Sequence, residues 1–129
     1  MSQENVEIIR RGYEHWTATG EPVVTSDLVW DVSHLGWPDQ QIYVGAKGAK
    51  QFMAEWADAW DDWELEVEDC IDAGERVVVI VNQRGRSKVT GIPLDMRFAQ
   101  VWTLRDGVGI RMQMYASVDE ALAAVGLRE

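Results

Sequence analysis

The chain has 129 residues, of which 47% are hydrophobic and 26% charged, enough apolar material for one core and the size of one ordinary domain spanning residues 1–129. Twenty-two acidic against twelve basic residues give a formal charge of -10, so a polyanion meets repulsion over most of the surface and nucleic acid is excluded as a partner. No apolar run approaches the roughly 20 residues of a membrane span and the N-terminus lacks a signal-peptide pattern, so the expectation is no membrane association and a cytoplasmic location.

From residue 3 to residue 19, Val6, Ile9, Tyr13 and Trp16 recur at spacings of three and four, which predicts a helix with one apolar stripe. Thr19-Gly20-Glu21-Pro22 ends it, and Leu28 to Val32 reads as a short strand. Ser33 to Tyr43 carries Gly36, Pro38 and Asp39 and reads as a loop or flap around Trp37. A second helix from about Ala46 to Asp61 places Ala49, Phe52, Met53, Trp56 and Trp60 on one face. From Trp63 the period becomes two, with Leu65 and Val67 alternating against Glu64, Glu66 and Glu68, and the slip at Asp69-Cys70 suggests a bulge. After the Asp72-Ala73-Gly74 turn, Arg76 to about Lys88 is a β-branched strand. Leu94 to Leu104 puts Leu94, Met96, Phe98, Gln100 and Trp102 on the inner face and Asp95, Arg97, Ala99, Val101 and Thr103 on the other. Arg105-Asp106-Gly107 is a hairpin signal, the last strand turns Ile110, Met112, Met114 and Ala116 inward, and Ser117 with Glu120 forms a capping box for a short final helix. Helices followed by long antiparallel strands make the fold class α+β.

Several stretches then carry a family resemblance: Arg10 to Trp16 followed by Gly20, the strand Leu28-Val29-Trp30-Asp31, Ile42-Tyr43-Val44-Gly45, Ile71-Asp72-Ala73-Gly74, Val101 to Gly107, and Glu120-Ala121-Leu122. They resemble the SnoaL-like branch of the nuclear-transport-factor-2-like (NTF2-like) superfamily over nearly the whole chain. The resemblance implies a cone in which a curved antiparallel β-sheet wraps around N-terminal helices, with a pocket at its wide end. It also implies activities related to ketosteroid isomerase and polyketide cyclases, which need no cofactor, and frequent dimerisation through the outer sheet face. Tyr13, seven residues before Gly20, matches the isomerases' oxyanion tyrosine. Asp31 is the first-strand candidate for their base, although the connection from Gly20 is about six residues shorter. Gln100 stands where they carry a protonated aspartate, and its amide donates a hydrogen bond without any pKa adjustment. The cyclases' deep carboxylate has no inward counterpart between Leu94 and Ser117. Nor is there an inward Asp-Arg-Asp set like that of the epoxide hydrolases, though Arg84 or Arg86 could supply an arginine.

Seven tryptophans give the chain an aromatic interior, and Trp16, Trp30, Trp37, Phe52, Trp56, Trp60, Met96, Phe98, Trp102, Met112 and Met114 are candidates to line one cavity or simply to pack a core. The first strand's register leaves two bases open. If Trp30 points inward with Val32 and His34, Asp31 points outward and His34 inherits the role; one residue of slip reverses all four. Two isolated histidines and the single Cys70 offer no metal-ligand set. The expected ligand is a small apolar molecule, bound either by a proton-transferring enzyme or by a non-catalytic carrier. A homodimer is expected because the outward mixture of Ala99, Val101, Thr103, Arg97, Gln113 and Tyr115 is too apolar for a face left wholly in water.

Overall fold

The computed structural model describes residues 2–19, 28–32, 42–58 and 60–127, without the side chains of Ser2, Gln3, Thr17, Thr19, Trp56 and Trp63. In chain order the elements are α1 (Ser2–Thr19), β1 (Val29–Asp31), β2 (Ile42–Val44), α2 (Gly45–Asp58), β3 (Trp60–Ala73), β4 (Arg76–Ser87), β5 (Pro93–Arg105), β6 (Val108–Tyr115) and α3 (Val118–Ala124). The strands form one sheet in the order β2-β1-β6-β5-β4-β3.

The long strands β3 to β6 pair antiparallel as a meander, and the alternation of their residues decides which face each side chain meets. Val77, Val79 and Val81 of β4, Phe98 and Leu104 of β5, and Met112 and Met114 of β6 share an inner cluster with Ile9 of α1 and Ala49 and Phe52 of α2. The helical stripes are buried against the sheet because three-and-four spacing keeps them on one side. α2 sits so close to β2 that a β-carbon on Gly48 would stand 2.9 Å from the Tyr43 carbonyl carbon.

The structure corrects four expectations. The sheet is mixed: β1 pairs antiparallel with β2 but parallel with β6, since no hairpin fixes the direction of strands joined through the rest of the meander. The second helix ends at Asp58, and Trp60 enters the core from β3, opposite Ser87. A register shift between Asp61 and Glu64, with Asp62 at φ 49°, accommodates that early strand start. The end of the anticipated flap is a strand, Ile42–Val44, whereas residues 33–41 lie outside the described ones. The alternation slip foreseen near Cys70 is present as a shift between Val67 and Asp69.

The fourth correction concerns the outer face. Ala99, Val101 and Tyr115 are buried with Val78 beneath Ala121 and Val125, at the C-terminal end of the same chain. Ser117 caps α3, accepting a hydrogen bond from the Glu120 amide at 3.4 Å, and Arg76 donates to the Ala124 carbonyl at 3.1 Å. Ala99, Val101 and Tyr115, three of the residues from which a homodimer was expected, are therefore covered within the same chain. No described helix is long and apolar enough to cross a membrane.

Candidate functional site

Tyr13 reaches the inner face from α1, two turns before the helix ends, and meets two residues of β5 that alternation places on the same side. Its hydroxyl donates to Gln100 Oε1 and accepts from Trp102 Nε1 at 3.0 Å. The Tyr13 and Trp102 rings meet edge to face at 6.3 Å. Burial pushes the Tyr13 phenol well above its ordinary pKa; the Trp102 hydrogen bond opposes the shift and Cys70 adds to it, so the hydroxyl stays protonated across the physiological range. Cys70, on the neighbouring part of β3, is likewise raised by burial, with Arg10 acting against the shift and Asp69 with it.

The direction of these hydrogen bonds is fixed by chemistry. An indole N–H can only donate, so the Tyr13 oxygen accepts from Trp102 and its own proton goes to Gln100. That orients the Gln100 amide with its oxygen toward Tyr13. Gln100 is buried, and among the described residues its NH₂ group has no hydrogen-bond partner.

An aromatic row continues from this chain. Trp30 stands edge-on to Trp102 at 6.1 Å and tilted against Phe52 at 5.4 Å, while Tyr43 meets Phe52 edge to face at 5.4 Å. Tyr43 donates to Glu55 Oε1 at 2.7 Å, and Gln51 holds the other Glu55 oxygen at 3.0 Å. The short strand Ile42–Val44 offers too few alternating residues for Tyr43 to be read as inward from sequence, so it was missed. Like Tyr13 and Trp102, the residues Met53, Leu65, Val67 and Met96 pack against the inner cluster yet are only partly buried.

The remaining candidates divide. Phe52, Trp60, Phe98, Met112 and Met114 belong to the buried inner cluster, and Trp16 is half-buried on α1. His34 and Trp37, and the side chain of Trp56, lie outside the described residues. Asp31 does not join Tyr13 and Gln100. Trp30 pairs with Met112 on the inner side, so Asp31 emerges on the opposite face beside Gln113 and is bound by Arg111 at 3.0 Å. The Asp31 side chain is 6% exposed and that of Arg111 44%, so this outer-face ion pair is buried at its carboxylate and half-exposed at its guanidinium. Tyr115 nearby has its phenol raised, first by its own burial and then by the Asp31 charge. Asp31 is thus withdrawn as a base facing the oxyanion donors, because alternation of β1 cannot send both Trp30 and Asp31 inward.

Among the described residues no group of His, Cys, Asp and Glu side chains is arranged to hold a metal ion. A groove of about 440 Å³ also opens between the first turns of α1 and the β5–β6 hairpin, lined by Glu4, Asn5, Ile8, Glu75 and Arg105 among others. It involves none of the sequence-derived candidates.

Solved structures share this architecture. An NTF2-like protein of unknown function from Burkholderia pseudomallei is 19% identical and superposes with a TM-score of 0.74, covering 95% of this chain and 98% of that one. TerC, co-crystallised with polyporic acid, is 21% identical with a TM-score of 0.72 over 95% of this chain and 98% of its own. A putative SnoaL-like polyketide cyclase from Jannaschia sp. CCS1 is 21% identical with a TM-score of 0.68 over 98% and 94%. No curated protein matches the sequence. The α+β cone is thus that of the NTF2-like proteins. The family model for the SnoaL-like domain matches residues 9–111, most of the length, and the chain belongs to the SnoaL-like domain family.

Proposed function

We propose that the protein binds a flat, largely apolar small molecule on its inner face and anchors an acceptor oxygen of that molecule on the Gln100 amide. The Trp102–Tyr13–Gln100 hydrogen-bond chain carries this reading. Trp102 and Tyr13 hold the amide in one orientation, and the donors left over are neutral at every pH the fold survives. Tyr13 in this reading is a positioning residue, since its proton is already committed to Gln100. The partly buried Met53, Leu65, Val67 and Met96 supply the apolar contact, and methionine adapts readily to a ligand's shape.

The carrier form of the reading is favoured over the enzymatic one by a single observation: Asp31 is engaged with Arg111 on the far side of the sheet. Proton abstraction beside a carbonyl needs a base on the same cavity as the donors, and an isomerase- or cyclase-like form of the reading assigns that base to His34. The test has two stages. Titration with fluorenone should change tryptophan emission saturably, and Gln100→Met should weaken that binding about tenfold. Unchanged emission across a panel of flat apolar ketones would overturn the reading. Isomerisation of an unsaturated ketone, followed in wild type, His34→Ala and Asp31→Asn, then separates the two forms. A carrier gives no rate above buffer, whereas an enzyme loses roughly 10²-fold or more with His34 alone.

A further inference from the structure

Trp30 contributes more than an aromatic surface. It is 7% exposed, and its indole nitrogen is buried with no hydrogen-bond partner among the described residues. Native folds leave such a donor unpaired rarely, because it gives up water and receives nothing in exchange. Its ring neighbours are Phe52 and Trp102, and Met112 lies across the strand pairing. Ring faces and a thioether accept only weakly.

Trp30 stands on β1 and Gln100 on β5, with β6 between them, so about 10 Å separates the two backbones and both side chains lie on the inner face. Each presents a donor, and among the described residues neither has an acceptor set against it. We infer that the Trp30 N–H is a second ligand anchor, so that the site takes a flat molecule with two acceptor oxygens on separate edges, a diketone or quinone. This inference rests on the pocket reading above and adds to it the chemistry at the second edge.

The experiment uses two soluble molecules of one shape, anthraquinone-2-sulfonate with two carbonyl oxygens on its central ring and anthracene-2-sulfonate with none, measured by equilibrium dialysis. The sulfonates carry the same charge, so the protein's overall negative charge cancels from the comparison. Wild type is expected to prefer the quinone. Trp30→3-benzothienylalanine keeps the ring shape and replaces N–H by sulfur; it should cut that preference about tenfold and leave anthracene-2-sulfonate binding unchanged. The ligand-free variant should melt at or above the wild-type temperature, because an unpaired donor has been removed. Trp30→Phe, made in parallel, should show the same loss of preference. An unchanged preference in both variants, or equal binding of the two compounds by wild type, overturns the inference and leaves the pocket reading standing. So does a ligand-free benzothienyl variant that melts several degrees lower, since the N–H would then have had a partner. If neither compound binds wild type, the pocket reading itself falls and takes the inference with it.

Discussion

Replacing Tyr13 by Phe tests the hydrogen-bond chain at its centre, because one oxygen serves two groups, the buried Gln100 and the partly buried Trp102. The ring stays, so the edge-to-face contact with Trp102 at 6.3 Å is kept and no large cavity opens. What is lost is the acceptor for Trp102 Nε1 and the donor to Gln100 Oε1. Each group left unpaired costs about 1–3 kcal/mol; Trp102 is partly exposed and recovers some of its share from water, so a total of about 3 kcal/mol is expected. For a domain of this size that lowers the melting temperature by roughly 9–15 °C. A second arm uses pH. The folded-state pKa of Tyr13 is raised above that of the unfolded chain, so its stabilisation is fully present below about pH 10 and is lost as pH climbs from there toward the folded value. Wild type should therefore lose stability steeply above pH 10, and Tyr13→Phe should flatten that part of the profile. Denaturant unfolding by circular dichroism at a series of alkaline pH values measures both. A loss below about 1 kcal/mol together with an unaltered alkaline slope would refute the hydrogen-bond chain as described.

Two further substitutions test the frame around the site. Gly48→Ala would ordinarily gain about 1 kcal/mol of helix propensity, but here the new methyl stands 2.9 Å from Tyr43 backbone held by strand pairing. Overpacking of this kind costs about 1–3 kcal/mol, so a lower urea midpoint is expected, and a higher one would show that α2 can shift. Asp31→Asn and Arg111→Met, alone and combined, should give a coupling of about 1–3 kcal/mol by urea unfolding. That is below the 3–5 kcal/mol of breaking a fully buried pair, because Arg111 is half exposed. A coupling under about 0.5 kcal/mol would mean the pair does not help hold β1 to β6.

The parts legible in the sequence were those whose signal repeats. Val6, Ile9, Tyr13 and Trp16 mark a full helical stripe, and five inward residues in succession on β5 fix the side on which Gln100 and Trp102 lie. Tyr13 and Gln100 could be brought together from sequence for that reason. Asp31 could not be oriented, because Leu28, Val29, Trp30 and Val32 are apolar at both phases of a short strand. Trp60 follows Trp56 by four residues and so prolongs the helical period across a boundary that pairing with Ser87 actually sets. The docking of α3 was hidden for a different reason: seven residues of amphipathic helix state which face is apolar and nothing about which surface it covers. The parallel contact of β1 depends on partners too far along the chain for any local pattern to register.

That parallel contact also orders events in time. The meander β3 to β6 closes through short turns, whereas Asp31 and Arg111 stand 80 positions apart and must wait for β6 to exist before β1 has an edge to join. Trp30 rides on that three-residue strand. The inner site is therefore expected to be finished last in folding, and the same edge to open first under native conditions. Amide exchange should register β1 and β2 as a weak cooperative unit beside a slow-exchanging meander, giving a bulky ligand a way in at far less than the cost of global unfolding.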